Sequence, residues 1–192
     1  MSNISSLQNV HKNGLFGDHD DKNENNLIKL REIKNINLFQ IVKYKRSNEN
    51  ISNYKINGIN FSESLKTSYN SETRIIWMGP NNWFVFSTKD IHEDLKNFNQ
   101  SEFAITDLSH SRSIIEIEGD MVYEVLKKGS PLDSGKLKEG DCANTVYNGI
   151  TITIDFISNK PNVVRIFGLR SFGESLYHSI TDACLEYGYK SL

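Results

Sequence analysis

The tightest constraint on this chain is a dipeptide, Asn148-Gly149, set between two strand-like runs. A two-residue hairpin turn that matches the twist of its strands needs positive φ at both central positions. Asn-Gly meets that demand at the least steric cost. Downstream, Ile150, Ile152, Ile154 and Phe156 alternate with Thr151, Thr153 and Asp155. That period of two buries one face of a strand and leaves the other polar. Upstream, Ala143 to Tyr147 supplies the partner strand. A chain built around such a unit is committed to antiparallel pairing.

Other segments repeat the pattern. Arg74 to Met78 and Trp83 to Ser87 are β-rich runs joined by Gly79-Pro80-Asn81-Asn82, a second hairpin. Phe39 to Tyr44, Phe103 to Leu108, Ser113 to Glu118 and Val163 to Phe167 also read as strands. Helical spacing appears in three places. Ile91, Leu95 and Phe98 mark a short helix. Val122, Val125 and Leu126 mark a second, with Asp120 as expected cap and Gly129 as terminator before Pro131. Phe172, Leu176, Ile180, Cys184 and Tyr187 mark a third, opened by a Ser171/Glu174 capping box and closed by Gly188. Strand pairs interrupted by helices predict an α+β fold with antiparallel sheets and packed helices. Residues 1–26, rich in Asn, Asp, Ser and Lys, are expected to form a flexible arm with Leu15-Phe16 as its only apolar anchor. Residues 27–192 are expected to form one domain, with little pattern between Ser47 and Asn70.

Composition narrows the function classes. The 192 residues carry a net charge of −2, which gives no broad attraction to nucleic acid or anionic lipid. No apolar run approaches the ~20 residues of a membrane span, and no apolar signal core opens the chain, so a cytoplasmic location is expected. Cys142 and Cys184 form neither a CxxC pair nor a zinc spacing and are expected to be reduced core residues. No GxGxxG follows a strand and no GxxxxGK[ST] occurs, so nucleotide binding by a standard loop is not expected. The stretch Asp107-Leu108-Ser109-His110 contains the residue types of a hydrolase triad. Adjacent side chains on an extended segment diverge, however, whereas a nucleophile and its base must lie about 3 Å apart. Asp107 and Ser109 are expected to bond backbone at a turn. Asp133, placed after Ser130-Pro131-Leu132, reads as a turn or cap residue. Trp77, Trp83, Phe84 and Phe86 read as an aromatic hairpin face in a core or at a subunit contact rather than a base-stacking platform.

Five islands recur in order: Met78-Gly79-Pro80-Asn81-Asn82-Trp83, Asp107 to Arg112, Gly129 to Asp133, Gly140 to Thr145, and Arg170 to Leu176. Together they resemble the gamma subunit of heterotetrameric sarcosine oxidase. The likeness spans roughly residues 70–190 and is absent from the first 26. Ser111 stands where the family has a basic residue, and Ser130 where cysteine is common. The resemblance implies the fold of the folate-binding module of glycine-cleavage aminomethyltransferase. It implies alpha, beta and delta partner subunits carrying FAD, FMN, NAD and zinc. It also implies an assembly that demethylates sarcosine to glycine, passes the one-carbon unit to tetrahydrofolate and releases hydrogen peroxide.

In that family the gamma chain holds no recognised redox cofactor. The resemblance therefore implies an accessory, structural role with no catalytic, cofactor or metal residue in this chain. Trp83, His110, Arg112, Pro131, Leu132 and Arg170 are the candidate interface residues, because exposed aromatics and arginines anchor contacts best. Two rival readings keep the fold. One is the equivalent subunit of a related N-methyl amino acid dehydrogenase, such as one acting on N-methylglutamate. The other is a stand-alone folate-dependent aminomethyltransferase-like protein, an enzyme type usually longer, with added C-terminal domains.

Overall fold

In a computed structural model, residues 4–192 are described, and they fold as α+β with three sheets. In chain order the first seven strands are β1 (Gly14–Phe16), β2 (Ile28–Glu32), β3 (Asn37–Lys43), β4 (Lys55–Ile56), β5 (Ile59–Asn60), β6 (Thr67–Tyr69) and β7 (Thr73–Gly79). The remaining seven are β8 (Asn82–Ser87), β9 (Phe103–Asp107), β10 (Arg112–Glu118), β11 (Cys142–Tyr147), β12 (Ile150–Asn159), β13 (Asn162–Leu169) and β14 (Tyr189–Ser191). The helices are α1 (His92–Leu95), α2 (Val122–Gly129) and α3 (Gly173–Cys184). Where one domain over 27–192 and a preceding arm were expected, the contacts divide the chain into two compact units. The larger holds 4–34, 111–139 and 143–192; the smaller holds 35–110 and 140–142.

The larger unit is built on a seven-stranded sheet in the order β1-β14-β2-β10-β13-β12-β11. The pairs β1/β14, β2/β10, β10/β13 and β12/β13 are antiparallel; β14 lies parallel to β2. The expected Asn-Gly turn joins β11 to β12, with φ of 46° at Asn148 and 82° at Gly149. One face of the sheet carries Leu30, Ile115, Ile117, Ile152, Ile154, Phe156, Val164 and Ile166. Val122, Val125 and Leu126 of α2 pack on that face, as do Leu176, Tyr177, Ile180 and Cys184 of α3. Cys142 and Cys184 are both buried and unbridged, and burial pushes the Cys184 thiol up to about 12.

Three local expectations are corrected. Asp120 is not the α2 cap: Met121 holds that position, and the Val122 N–H donates to the Gly119 carbonyl at 3.3 Å. The Ser171/Glu174 capping box does not form. Arg170–Phe172 make a 3-10 turn that runs straight into α3, and Glu174 accepts from Asn9 at 3.3 Å instead. Phe172, assigned to the buried stripe, is 48% exposed, because that turn rotates it off the helix's inner face.

The segment read as an arm also has structure in its described part; residues 1–3 lie outside the described residues. Gly14–Phe16 pairs with β14, and Leu7 is fully buried. Burying one leucine contributes about 2 kcal/mol. Ordering each backbone residue costs at least about 1 kcal/mol. Leu7 alone therefore does not hold the segment; polar anchors are needed. They are present: Ser5 and Ser6 donate to Glu32, Ser113 donates to Ser6 at 2.6 Å, and Arg170 donates to the Ile4 carbonyl.

The smaller unit holds a five-stranded antiparallel sheet, β6-β7-β8-β3-β9, and the β4/β5 pair. One face buries Phe39, Ile41, Ile75, Trp83, Val85 and Phe103 with Ile91, Leu95 and Phe98 around α1. The β7/β8 hairpin is the one expected from Gly79-Pro80-Asn81-Asn82. The strands β4, β5 and β6 fall in the stretch that carried little pattern.

Gly129 ends α2 for a reason beyond its backbone freedom. A Cβ there would lie 2.5 Å from the Tyr147 ring, whose hydroxyl donates to the Val125 carbonyl at 2.9 Å. Gly129→Ala is expected to destabilise the protein by about 1–3 kcal/mol, the cost of overpacking a filled core. Urea unfolding followed by circular dichroism measures it, and an unchanged midpoint would contradict the packing.

Candidate interaction surface

The Asp107–His110 turn follows β9 in the smaller unit. The Ser109 N–H donates to Asp107 Oδ1 at 2.8 Å, and Ser109 Oγ accepts from the Leu38 N–H at 3.0 Å. Burial acts to raise the Asp107 pKa. The Ser109 hydroxyl and N–H, with His110 and His92 nearby, outweigh it and hold the carboxyl below its ordinary 3.8. Both side chains are thus committed to the turn, as expected, and Ser109 is not presented to a histidine base. His110 is exposed beside them.

In the larger unit, Arg112 and Arg170 stand at one end of the β10/β13 pair. Arg112 lies opposite Leu169 in register, and the Arg170 N–H donates to the Ser111 carbonyl at 3.0 Å. The Arg112 guanidinium donates to the Ser111 carbonyl at 3.2 Å and Oγ at 3.1 Å. Partial burial lowers the Arg112 pKa from its ordinary value, and the guanidinium stays charged at neutral pH. Around these arginines Leu169 and Phe172 are 42% and 48% exposed. This corner therefore groups two half-buried cations with two exposed large apolar side chains, the composition of a contact anchor.

The other candidates separate. Pro131 is exposed, while Leu132 is partly buried against the larger unit's core. The Leu132 N–H donates to Ser130 Oγ at 3.3 Å, which fixes the turn after α2. Asp133 opens a 3-10 turn without a side-chain cap bond and pairs with Lys136 at 2.7 Å. Trp83, a candidate interface residue, is corrected to the core, the other position its hairpin face allowed. It is 5% exposed, its indole donates to the Ser62 carbonyl at 3.0 Å, and Phe61 meets its ring edge-on. Its alternation on β8 places it on the face that carries Val85, inside the core of the smaller unit.

Sequence reasoning missed a ladder of charges on the second face of the larger sheet. Register places Lys29 opposite Glu118, Arg31 opposite Glu116, and Glu116 opposite Arg165. The ion pairs follow it: Lys29–Glu118 at 2.7 Å, Arg31–Glu118 at 2.9 Å, Arg31–Glu116 at 3.4 Å and Arg165–Glu116 at 2.7 Å. Asp155, fully buried, lies opposite Arg165. The signal was available in the alternation Ile28-Lys29-Leu30-Arg31 and Ile115-Glu116-Ile117-Glu118. Chemically the ladder is neutralised from within, which is how a fold tolerates charges at low exposure. Among the described residues, no group of three or more His, Cys, Asp or Glu is placed to hold a metal, and no helix is long and apolar enough to cross a membrane.

No protein-family model matches the chain, and no curated protein matches it in sequence. Its fold is shared with solved structures. One is the heterotetrameric sarcosine oxidase from Corynebacterium sp. U-96, solved in complex with pyrrole 2-carboxylate. It matches at a TM-score of 0.74 and 21% identity over 83% of this chain and 85% of that one. Another is the glycine cleavage system aminomethyltransferase T from Bartonella henselae, at a TM-score of 0.61 and 10% identity. That match covers 86% of this chain but 48% of the other. The α+β fold is thus one found in an oxidoreductase assembly and in an aminomethyltransferase.

Glu116→Ala removes the carboxylate shared by Arg31 and Arg165, leaves Arg31 paired with Glu118, and is expected to cost about 1–3 kcal/mol, the range for losing charged hydrogen bonds at low exposure. Lys136→Ala, on an exposed pair, should cost less than about 0.5 kcal/mol. Equal losses in chemical denaturation would refute the ladder's structural role.

Proposed function

We propose that this chain is a gamma-type accessory subunit of a heterotetrameric sarcosine oxidase. The observation that carries the reading is the joint one. The fold matches a chain of such an oxidase over most of both lengths, and five sequence islands resemble the gamma subunit in order. In this reading the chain packs against alpha, beta and delta subunits, and FAD, FMN, NAD and zinc reside there. The complex demethylates sarcosine, with one-carbon transfer to tetrahydrofolate and release of hydrogen peroxide, in the cytoplasm. This chain's part is to present rigid contact surface. Arg112 and Arg170 with Leu169 and Phe172 form one contact, His110 a second, and Pro131 and Leu132 a third. The same reading accommodates the equivalent subunit of an N-methyl amino acid dehydrogenase such as an N-methylglutamate enzyme, because the substrate would be bound by another chain.

The fold shared with an aminomethyltransferase favours a second reading, a folate-dependent aminomethyltransferase-like protein. Calorimetric titration of the isolated chain with tetrahydrofolate separates the two: micromolar binding supports the second reading and silence supports the first. For the first, co-expression with the alpha, beta and delta subunits of a heterotetrameric sarcosine oxidase should yield a yellow complex containing this chain. The pair Arg170→Ala and Phe172→Ala should weaken that co-purification by about tenfold or more, the loss of one to two anchor residues. Undiminished recovery of the complex would remove this corner from the interface.

A further inference from the structure

We propose that residues 4–11 form an acid-released strap on the larger unit, with His11 as its latch. The strap makes a tight turn in which the Val10 and His11 N–H groups donate to the Leu7 carbonyl at 3.0 and 2.8 Å. Leu7 is buried in the larger unit's core. The hydroxyls of Ser5 and Ser6 donate to the two oxygens of Glu32, and Asn9 donates to Glu174 on α3. A cavity of about 380 Å³ runs beside the strap, lined by Ser5, Gln8, His11, Asn13, Glu32 and Lys34.

His11 closes the strap. Its ring stacks on Tyr177 of α3 at a centroid distance of 5.4 Å and an interplanar angle of 25°. Both ring nitrogens are shut off from water and have no hydrogen-bond partner among the described residues. A neutral imidazole tolerates that enclosure at modest cost; an imidazolium, with two N–H donors and a full charge, tolerates it far less. The groups that face it do not supply the missing partner. Glu32 favours the charged form but already accepts from Ser5 and Ser6, and it pairs with Lys34 at 3.1 Å. Lys34 opposes the charged form, and Tyr177 offers its ring to the stack. The backbone of Leu192 lies near enough to favour protonation, outside hydrogen-bonding geometry. Desolvation wins, and the docked His11 titrates below its ordinary 6.5.

The sign follows from linkage. The released strap takes up a proton more readily than the docked one, so docking is strongest above pH 6.5 and weakens as pH falls from there toward the depressed docked value. The consequence of release would be a bared Leu7 site and an accessible Glu32. No change in the helices or the sheet is required.

Hydrogen exchange by mass spectrometry, corrected for intrinsic rates, tests this on the full chain at about pH 7.5 and about pH 5.5. Amides of residues 7–11 should open more at the lower pH, by up to about tenfold, the limit for one linked proton over this interval, while α2 peptides stay unchanged. His11→Phe keeps the ring stack and removes the proton, so its strap should show no acid response. Equal opening of the strap at both pH values, or the same acid response in the His11→Phe protein, overturns the proposal. An NMR titration that places the His11 pKa at or above 6.5 overturns it independently of any variant.

Discussion

The pairing of β10 with β2 on one side and β13 on the other is the interaction on which the larger unit depends. β10 runs through the middle of the seven-stranded sheet, and its seven residues are divided by alternation. Ile115 and Ile117 point into the core under α2 and α3, while Glu116 and Glu118 point to the other face. A one-residue slip in register would drive both carboxylates into the apolar core and both isoleucines out of it. The charges on β2 and β13 make the same register favourable from the opposite side, since Lys29, Arg31 and Arg165 then lie directly opposite them. Hydrophobic and electrostatic demands thus select one alignment. Helices α2 and α3, the Asn148-Gly149 hairpin and residues 4–11 are all hung on it.

That arrangement bears on function. A general acid or base needs a group whose charge is poised, and the low-exposure carboxylates of this ladder are instead matched by cations within 2.7–3.4 Å. Asp107 and Ser109, the other pair of chemically suggestive side chains, spend their hydrogen bonds on their own turn and on Leu38. What remains outward-facing is contact chemistry: arginines beside exposed Leu169 and Phe172, and a rigid proline turn after α2. The scaffold role proposed for the chain draws on this contact chemistry.

Much of this was legible in the sequence, and the reasons differ by element. The hairpins β7/β8 and β11/β12 were readable because their turns require special backbone angles that few residues supply. The inner stripe of α3 was readable from its spacing, but its start was not. Whether a helix opens with a capping box or flows out of a 3-10 turn is decided by tertiary contacts, here the close approach of Gly173 to Ser113. The strand β2 was missed because its alternating lysine and arginine look like surface until strand order supplies their carboxylates. The N-terminal segment looked unstructured because its anchors are serine hydroxyls paired with a distant glutamate, a signal that composition cannot carry. Trp83 read as either core or contact, because an aromatic in a hairpin looks alike whether its face meets a partner or a core; its burial settles it as core. Among the surface candidates, the resemblance to a known subunit pointed at Arg112 and Arg170, while the exposed partners Leu169 and Phe172 needed coordinates.

Hydrogen peroxide production from sarcosine, measured for the purified chain alone and again after adding the flavoprotein subunits, is the most direct test of the scaffold role. The chain alone should produce none, and the reconstituted mixture should produce it in proportion to the chain added until the subunits are saturated. Turnover by the lone chain would contradict the scaffold role, and so would full activity of the flavoproteins without it.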